Sequence, residues 1–377
     1  MILNRAYSIA LSWLIIFITS CNSIAKKNIK NRNSMNWGIT KISSETGANS
    51  FDYEFNQYFI QDSLTGYIIG DNSIAEMYRS IIEKRVLKRE NYEAILFKTE
   101  DGGVSFRKRS LGKGSLQKIT SDNEKNLYVI QCNYKTATLP KRYRIMYSRD
   151  LGETWQEMAF PQGKKIETVQ FYNGLKGVVA IEEDGMFKLL KTKDGGKTWE
   201  ELPVKETSLS YYSIQFINEE ALYVYNSIGG FRQTATVNFT TGNVKIHNPN
   251  LPKGYQFSSF IKDDSTGSLY SEVSNYKEDH DLMLYNHQTN ELISYNIENS
   301  SEQYIIDVTV SGEYIGLLRA DKGIVSYYYS RDKGENWIRE KMPERLSESY
   351  AAMYGKGLVW VKSAFNLYNL QVRTMDN

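Results

Sequence analysis

The sequence predicts an all-β protein built from a repeated unit of about 46 residues, and three observations predict it. The 377 residues are 41% hydrophobic, 24% charged and 13% aromatic, a globular composition rather than a disordered or coiled-coil one. The aromatic share is mostly Tyr, 28 in all, which suits half-buried pleated surfaces. One short motif of polar residues and glycine recurs four times at near-constant spacing, and such a period marks a repeat architecture. Lys plus Arg number 46 against 44 Asp plus Glu, so no global charge favours nucleic acid.

Residues 1–20 read as a signal peptide: Arg5, an apolar run from Ala6 to Ile18, then small residues before Cys21. The run is too short to remain as a membrane-crossing helix. Residues 21–34 are polar and basic and are expected to form a flexible tether. Ile18-Thr19-Ser20-Cys21 resembles the bacterial lipobox. That resemblance implies an acylated Cys21 as the mature N-terminus and export to a membrane, and Asn22 in place of Asp points to the outer one. The other cysteine, Cys132 in the strand-like run LYVIQCNY, cannot pair with a lipidated residue and reads as a small buried hydrophobe.

The four motif copies are Thr99-Glu-Asp101-Gly-Gly103-Val-Ser105-Phe106, Ser148-Arg-Asp150-Leu-Gly152-Glu-Thr154-Trp155, Thr192-Lys-Asp194-Gly-Gly196-Lys-Thr198-Trp199 and Ser330-Arg-Asp332-Lys-Gly334-Glu-Asn336-Trp337. This is hairpin-turn chemistry. Asp accepts hydrogen bonds from backbone amides expected two residues on, Gly supplies positive φ, and the aromatic opens the next strand and packs on the neighbouring unit. The pattern resembles the Asp-box, or BNR, repeat of β-propellers. That resemblance implies a structural turn between the third and fourth strands of each blade.

Asp101, Asp150 and Asp194 lie 49 and 44 residues apart, and Asp332 follows 138 residues later, three periods of 46. Two degenerate copies are therefore expected between, at Asn238-Phe-Thr-Thr-Gly242 and Asn286-His-Gln-Thr-Asn290. Hairpin-like segments such as 58–70, 169–179 and 260–270 open the periods. After the sixth copy, residues 349–355, 357–362 and 366–372 supply three strands, and the fourth is missing. Asn36-Trp37-Gly-Ile-Thr-Lys-Ile begins with the aromatic that follows the motif, so it is expected as the outermost strand of the last blade. Residues 35–377 then form one seven-bladed β-propeller, with six blades and a strand-like tail as the alternative.

In such a propeller the loops from second to third strand share a face opposite the motif turns. The first blade carries an insertion there, 71–93, in which Ile74, Met77, Tyr78, Ile81, Ile82 and Val86 follow helical spacing. Its cations Arg79, Lys84, Arg85, Lys88 and Arg89 are expected near the second-blade loop 135–144 with Lys135, Lys141, Arg142 and Arg144. These make a candidate docking patch for an acidic partner. In the alternative, the helix only lids the rim, its cations solvated and offset by Glu76, Glu83, Glu90 and Glu93. A third loop, 275–281, is acidic and holds His280.

His247, His280 and His287 lack partners at ligand spacing and read as surface residues, so neither a metal nor a cofactor is expected. No nucleophile elbow, phosphate loop or dinucleotide fingerprint is present. Asp-box propellers include sialidases, but no Arg-Ile-Pro precedes the first motif, and Phe231-Arg232-Gln233-Thr234 lies after the third. Arg144, Arg232 and Arg319 remain the arginines to examine for a substrate carboxylate. The pattern Gly66-Tyr-x-x-Gly-Asp-Asn72 with Lys98-Thr-x-Asp-Gly-Gly103 also resembles the assembly-factor propellers of photosystem II biogenesis, which bind protein and catalyse nothing. The expectation is a monomeric, lipid-anchored, non-catalytic scaffold of the bacterial cell envelope that binds a protein or glycan. A sialidase-like glycosidase and a periplasmic inhibitor or immunity protein are the alternatives.

Overall fold

A computed structural model describes residues 29–32, 37–41, 53–134, 142–161, 164–183, 186–205, 209–226, 231–263, 265–275, 279–295, 297, 303–321, 324–342, 349–355, 357–363 and 369–373. The strands form seven sheets, each with a four-stranded antiparallel blade, so the fold is a seven-bladed β-propeller and the six-bladed alternative falls. Blades one to six span 54–113, 115–157, 165–202, 209–247, 256–295 and 303–341.

Blade seven joins the two ends of the chain. Its strands Ser349–Tyr354, Leu358–Ser363 and Asn369–Arg373 are completed by Trp37–Lys41, which pairs antiparallel with Asn369–Arg373 as the outermost strand. The segment expected as a tether also contributes: Ile29–Arg32 pairs in parallel with Trp337–Lys341 as a fifth strand on blade six. The physical reason is the open edge of that outermost strand, whose unpaired backbone groups template any chain running beside it. Cys21 lies outside the described residues.

The core is divided among the blade interfaces. Seven hydrophobic clusters each draw on two neighbouring blades, one cluster per interface around the ring. The cluster between blades seven and one contains Trp360, Leu370, Ile68 and Phe97, so the ring closes by packing as well as by pairing. Cys132 is a buried thiol outside any disulfide, in the second strand of blade two, as expected.

The turn motif shows one geometry four times. In blade three the Thr192 hydroxyl donates to Asp194 Oδ1 at 2.8 Å and accepts from the Gly196 amide at 2.9 Å. The Thr198 amide and hydroxyl donate to the two Asp194 oxygens at 3.0 and 2.6 Å. Asp101, Asp150 and Asp332 repeat these contacts. The amide captured is thus four residues beyond the Asp, not two, because the loop is wider than a simple Asx turn. The bonds from Thr154 and Thr198 hold Asp150 and Asp194 down at about 2.

Each motif also locks onto the preceding blade. The Gly334 Cα, at φ +83°, lies so close to Tyr295 of blade five that a Cβ would sit 2.3 Å from its ring. Trp337 meets the same Tyr295 edge-on, and Phe106 of blade one meets Trp360 of blade seven. The degenerate turns keep only the Asx part: Asn238 Oδ1 accepts from Thr240 and Thr241, and Asn286 Oδ1 from Gln288 and Thr289.

Six of the seven innermost strands carry a register shift against their neighbour, at Phe55/Gln57, Leu116/Lys118, Ile166/Thr168, Ser210/Ile214, Phe257/Phe260 and Ile305/Asp307. Such bulges increase local twist and re-aim side chains, which suits strands converging on the central axis. They bring Lys118 Nζ to 2.8 Å from Thr168 Oγ1, and Gln57 Oε1 to 2.9 Å from the Ile119 amide, stitching one blade to the next.

Candidate docking and channel sites

The insertion of blade one sits where expected, between the second and third strands, but its helix is shorter than the spacing predicts. The helix α1 covers only Ser73–Ile82, followed by a single 3-10 turn at Arg89–Asn91. It ends in a Schellman arrangement: Lys84 adopts φ +51°, its amide donates to the Ile81 carbonyl, and the Arg85 amide donates to the Ser80 carbonyl. A lysine takes the place that glycine usually holds, which is why the sequence shows no stop there.

The helix is also turned over. Its buried side chains are Ser73, Ala75, Glu76 and Ser80. The apolar stripe faces solvent instead, with Met77 41%, Tyr78 47%, Ile81 64% and Ile82 79% exposed, continued by Val86 and Leu87. An amphipathic helix on a globular protein ordinarily buries its apolar side, and this one does not. The reason lies in Glu76, whose buried carboxylate accepts from Arg79 at 2.7 Å and Arg85 at 3.0 Å. Burial alone would raise its pKa, but the Arg85 and Arg79 bonds and charges outweigh burial and leave it lowered. Ser73 adds a bond to Glu54 at 2.9 Å. A fully satisfied polar face can be buried, and the apolar face is left outside.

The expected basic patch is thinner than its residue count. Arg79 and Arg85 serve Glu76, with Arg85 also on Glu83 at 2.6 Å. Arg142 and Arg144 both bind Glu157, at 2.6 and 3.2 Å. Lys88 reaches Glu90 only at 4.0 Å, and Lys84 has no carboxylate partner among the described residues. Arg89 lies over the Tyr134 ring at 5.7 Å, so the blade-one insertion does adjoin the blade-two loop. Lys135 and Lys141 lie outside the described residues, as do residues 276–278 of the third loop.

The sequence expectation for His287 was wrong. It is buried, its Nε2 lies 2.9 Å from Ser271 Oγ, and its ring packs against Tyr223 at 4.7 Å and Tyr285 at 5.1 Å. Burial, with the charge of His247 adding to it, pushes its pKa down to about 3. In the degenerate turns the residue after the Asn turns inward, Phe239 in blade four and His287 in blade five, and substitutes for the missing motif aromatic. An aromatic or imidazole at that position was the available signal. His247 is half-buried and lies 2.6 Å from Thr236 Oγ1. Among the described residues, no three His, Cys, Asp or Glu side chains are grouped to hold a metal ion.

The three arginines considered for a substrate carboxylate lie in blades two, four and six, each with donors engaged. Arg144 bonds Gln131 and Glu157, Arg232 bonds the Leu251 and Pro252 carbonyls, and buried Arg319 bonds the Ile297 carbonyl at 2.6 Å and lies over Tyr328.

Cavities appear at the other end of the central channel, on the side of the motif turns. Two of about 260 and 370 Å³ share Phe59, Ser121, Asp122, Asn123 and Lys262 and form the lobes of one mouth.

No family model matches the chain, and no curated protein matches it. Solved structures share its architecture. A structure described as YCF48 bound to D1 peptide superposes with a TM-score of 0.58 at 13% identity, over 94% of this chain and all of that one. The β-propeller domain of the Trilobed protease from Pyrococcus furiosus, described as having an open velcro topology, gives 0.54 at 10% identity, over 87% and 97%. At such identities the likeness is one of fold.

Proposed function

We propose that the protein is a non-catalytic scaffold of the bacterial cell envelope, held to a membrane by acylated Cys21, that docks a protein partner on the rim opposite the motif turns. The single observation that carries this reading is the outward apolar stripe of α1. Six of the twelve large hydrophobic side chains exposed among the described residues fall in this one insertion: Met77, Tyr78, Ile81, Ile82, Val86 and Leu87. Contiguous exposed apolar surface on a rigid scaffold marks an interaction site. Arg79, Lys84, Lys88 and Arg89 border the stripe, so the partner that fits is an apolar ridge flanked by carboxylates. The four motif turns support reading the blades as Asp-box repeats, with their aspartates in structural roles. The YCF48 structure, in which that propeller holds a peptide, is consistent with a ring used for protein binding.

The test is capture from native envelope extract by immobilised residues 22–377, beside Ile81→Ser/Ile82→Ser and a variant with Lys84, Lys88 and Arg89 changed to Ser. A discrete protein retained by the parent, lost with the apolar variant and weakened with the basic one supports the proposal. Equal capture by all three refutes it.

A further inference from the structure

We propose a second, separate site: the channel mouth on the motif-turn side binds a monocarboxylate with an apolar body, and Lys262 receives its charge. The first strands of all seven blades end at this mouth, which is lined from Phe59 of blade one to Tyr354 of blade seven. Its two lobes are of ligand size.

The charges around it are spent, with one exception. The Asp122 carboxylate accepts from the Glu124 and Asn126 amides, the Asn126 side chain and the Tyr128 hydroxyl. Asp263 is buried and takes the Ser265, Thr266 and Gly312 amides. Lys125 pairs with Asp62 at 3.1 Å. Lys262, from blade five, instead reaches across to blade two, where its ammonium donates to Asn123 Oδ1 at 3.3 Å, and it has no carboxylate partner among the described residues. A long bond to a neutral amide is readily exchanged for a charge-assisted one, which is shorter and about twice as strong.

One unspent positive charge, with acidic residues already around it, suits a monoanion and not a phosphate dianion. Gln170 and Gln215 help make one lobe mainly polar, whereas Phe59, Ile60, Val310, Met353 and Tyr354 line the other, which is mainly apolar. The ligand therefore carries an apolar group beside its carboxylate. A free organic acid and the terminal residue of a peptide share that chemistry.

The probes are N-acetyl-phenylalaninate, its uncharged amide, the tripeptide Gly-Gly-Phe as free acid, and glucuronate, each titrated calorimetrically into residues 22–377. N-acetyl-phenylalaninate is expected to bind saturably, at least tenfold tighter than its amide and than glucuronate. Lys262→Gln should lower its affinity tenfold or more, Lys262→Arg should retain it, and Ile81→Ser/Ile82→Ser should leave it unchanged. Tighter binding of the tripeptide assigns the mouth to a chain end, and equal or weaker binding to a free acid. Acid and amide binding alike, no saturation by tens of millimolar, or indifference to Lys262→Gln overturns the proposal, and glucuronate matching N-acetyl-phenylalaninate overturns the apolar requirement.

Discussion

Removing the Glu340 carboxylate should loosen the joint where the two chain ends meet. Glu340, in the outer strand of blade six, is 2% exposed and accepts from buried Arg373 of blade seven at 2.8 and 3.1 Å. The same carboxylate accepts from Trp37 Nε1 at 3.0 Å, so it also holds the N-terminal strand that completes blade seven. Arg373 lies over the Tyr327 and Tyr329 rings, 5.0 Å from each. In Glu340→Ala the guanidinium stays buried without its carboxylate, and breaking a buried pair from one side costs about 3–5 kcal/mol. Removing both charges in Glu340→Leu/Arg373→Met avoids the orphaned ion and should recover most of that loss. The half-exposed Lys125–Asp62 pair is the control: Lys125→Ala should cost under about 1 kcal/mol. Urea unfolding followed by tryptophan fluorescence and circular dichroism reads all three as midpoint shifts at unchanged slope. A Glu340→Ala cost below about 1 kcal/mol, or a double variant no better than the single, would show that this cluster does not hold the ring shut.

Three further outcomes follow from the same physics. Gly334→Ala must force a Cβ into Tyr295 at positive φ and should cost about 2–4 kcal/mol in urea, whereas Gly267→Ala, at φ +72° with nothing within 4 Å, should cost only about 1 kcal/mol. His287, held near 3, contributes stability that is complete above its unfolded value of about 6.5 and is lost as pH falls towards 3, at up to about 1.4 kcal/mol per pH unit. Asp307, raised by burial to about 7, acts oppositely: its contribution is complete below about 3.9 and lost as pH rises to 7. Between pH 6.5 and 5 the two slopes offset, so His287→Phe should gain stability on acidification relative to the parent, and a pH-independent difference in unfolding free energy would contradict that. Asp194→Ala should leave an amide and two hydroxyls without their acceptor and lower the melting temperature, with Asp194→Asn intermediate.

The ring was readable in the sequence because its turns need particular residues at fixed offsets. Glycine at positive φ, a carboxylate and an aromatic cannot be exchanged freely there, so the period survives and predicts even the closure by Trp37. The helix at 73–82 was readable as amphipathic but not in orientation. Periodicity finds a stripe without saying which side is buried, and here Glu76, satisfied by Arg79 and Arg85, reverses the usual choice. The channel mouth was not readable at all. Its residues come as short runs of one to five from each blade, from Phe59 to Gly355, and Lys262 and Asn123 are 139 positions apart, so only the closed ring makes them neighbours.

The measurement that tests the central claim most directly is a photo-crosslinking side chain placed at Ile82 in the full-length protein in its native host. The same group at Leu175, an exposed leucine in the turn between the first and second strands of blade three, serves as the control. The account predicts a discrete protein adduct at Ile82 that is absent at Leu175. No protein adduct at Ile82, or the same adducts at both positions, would contradict it.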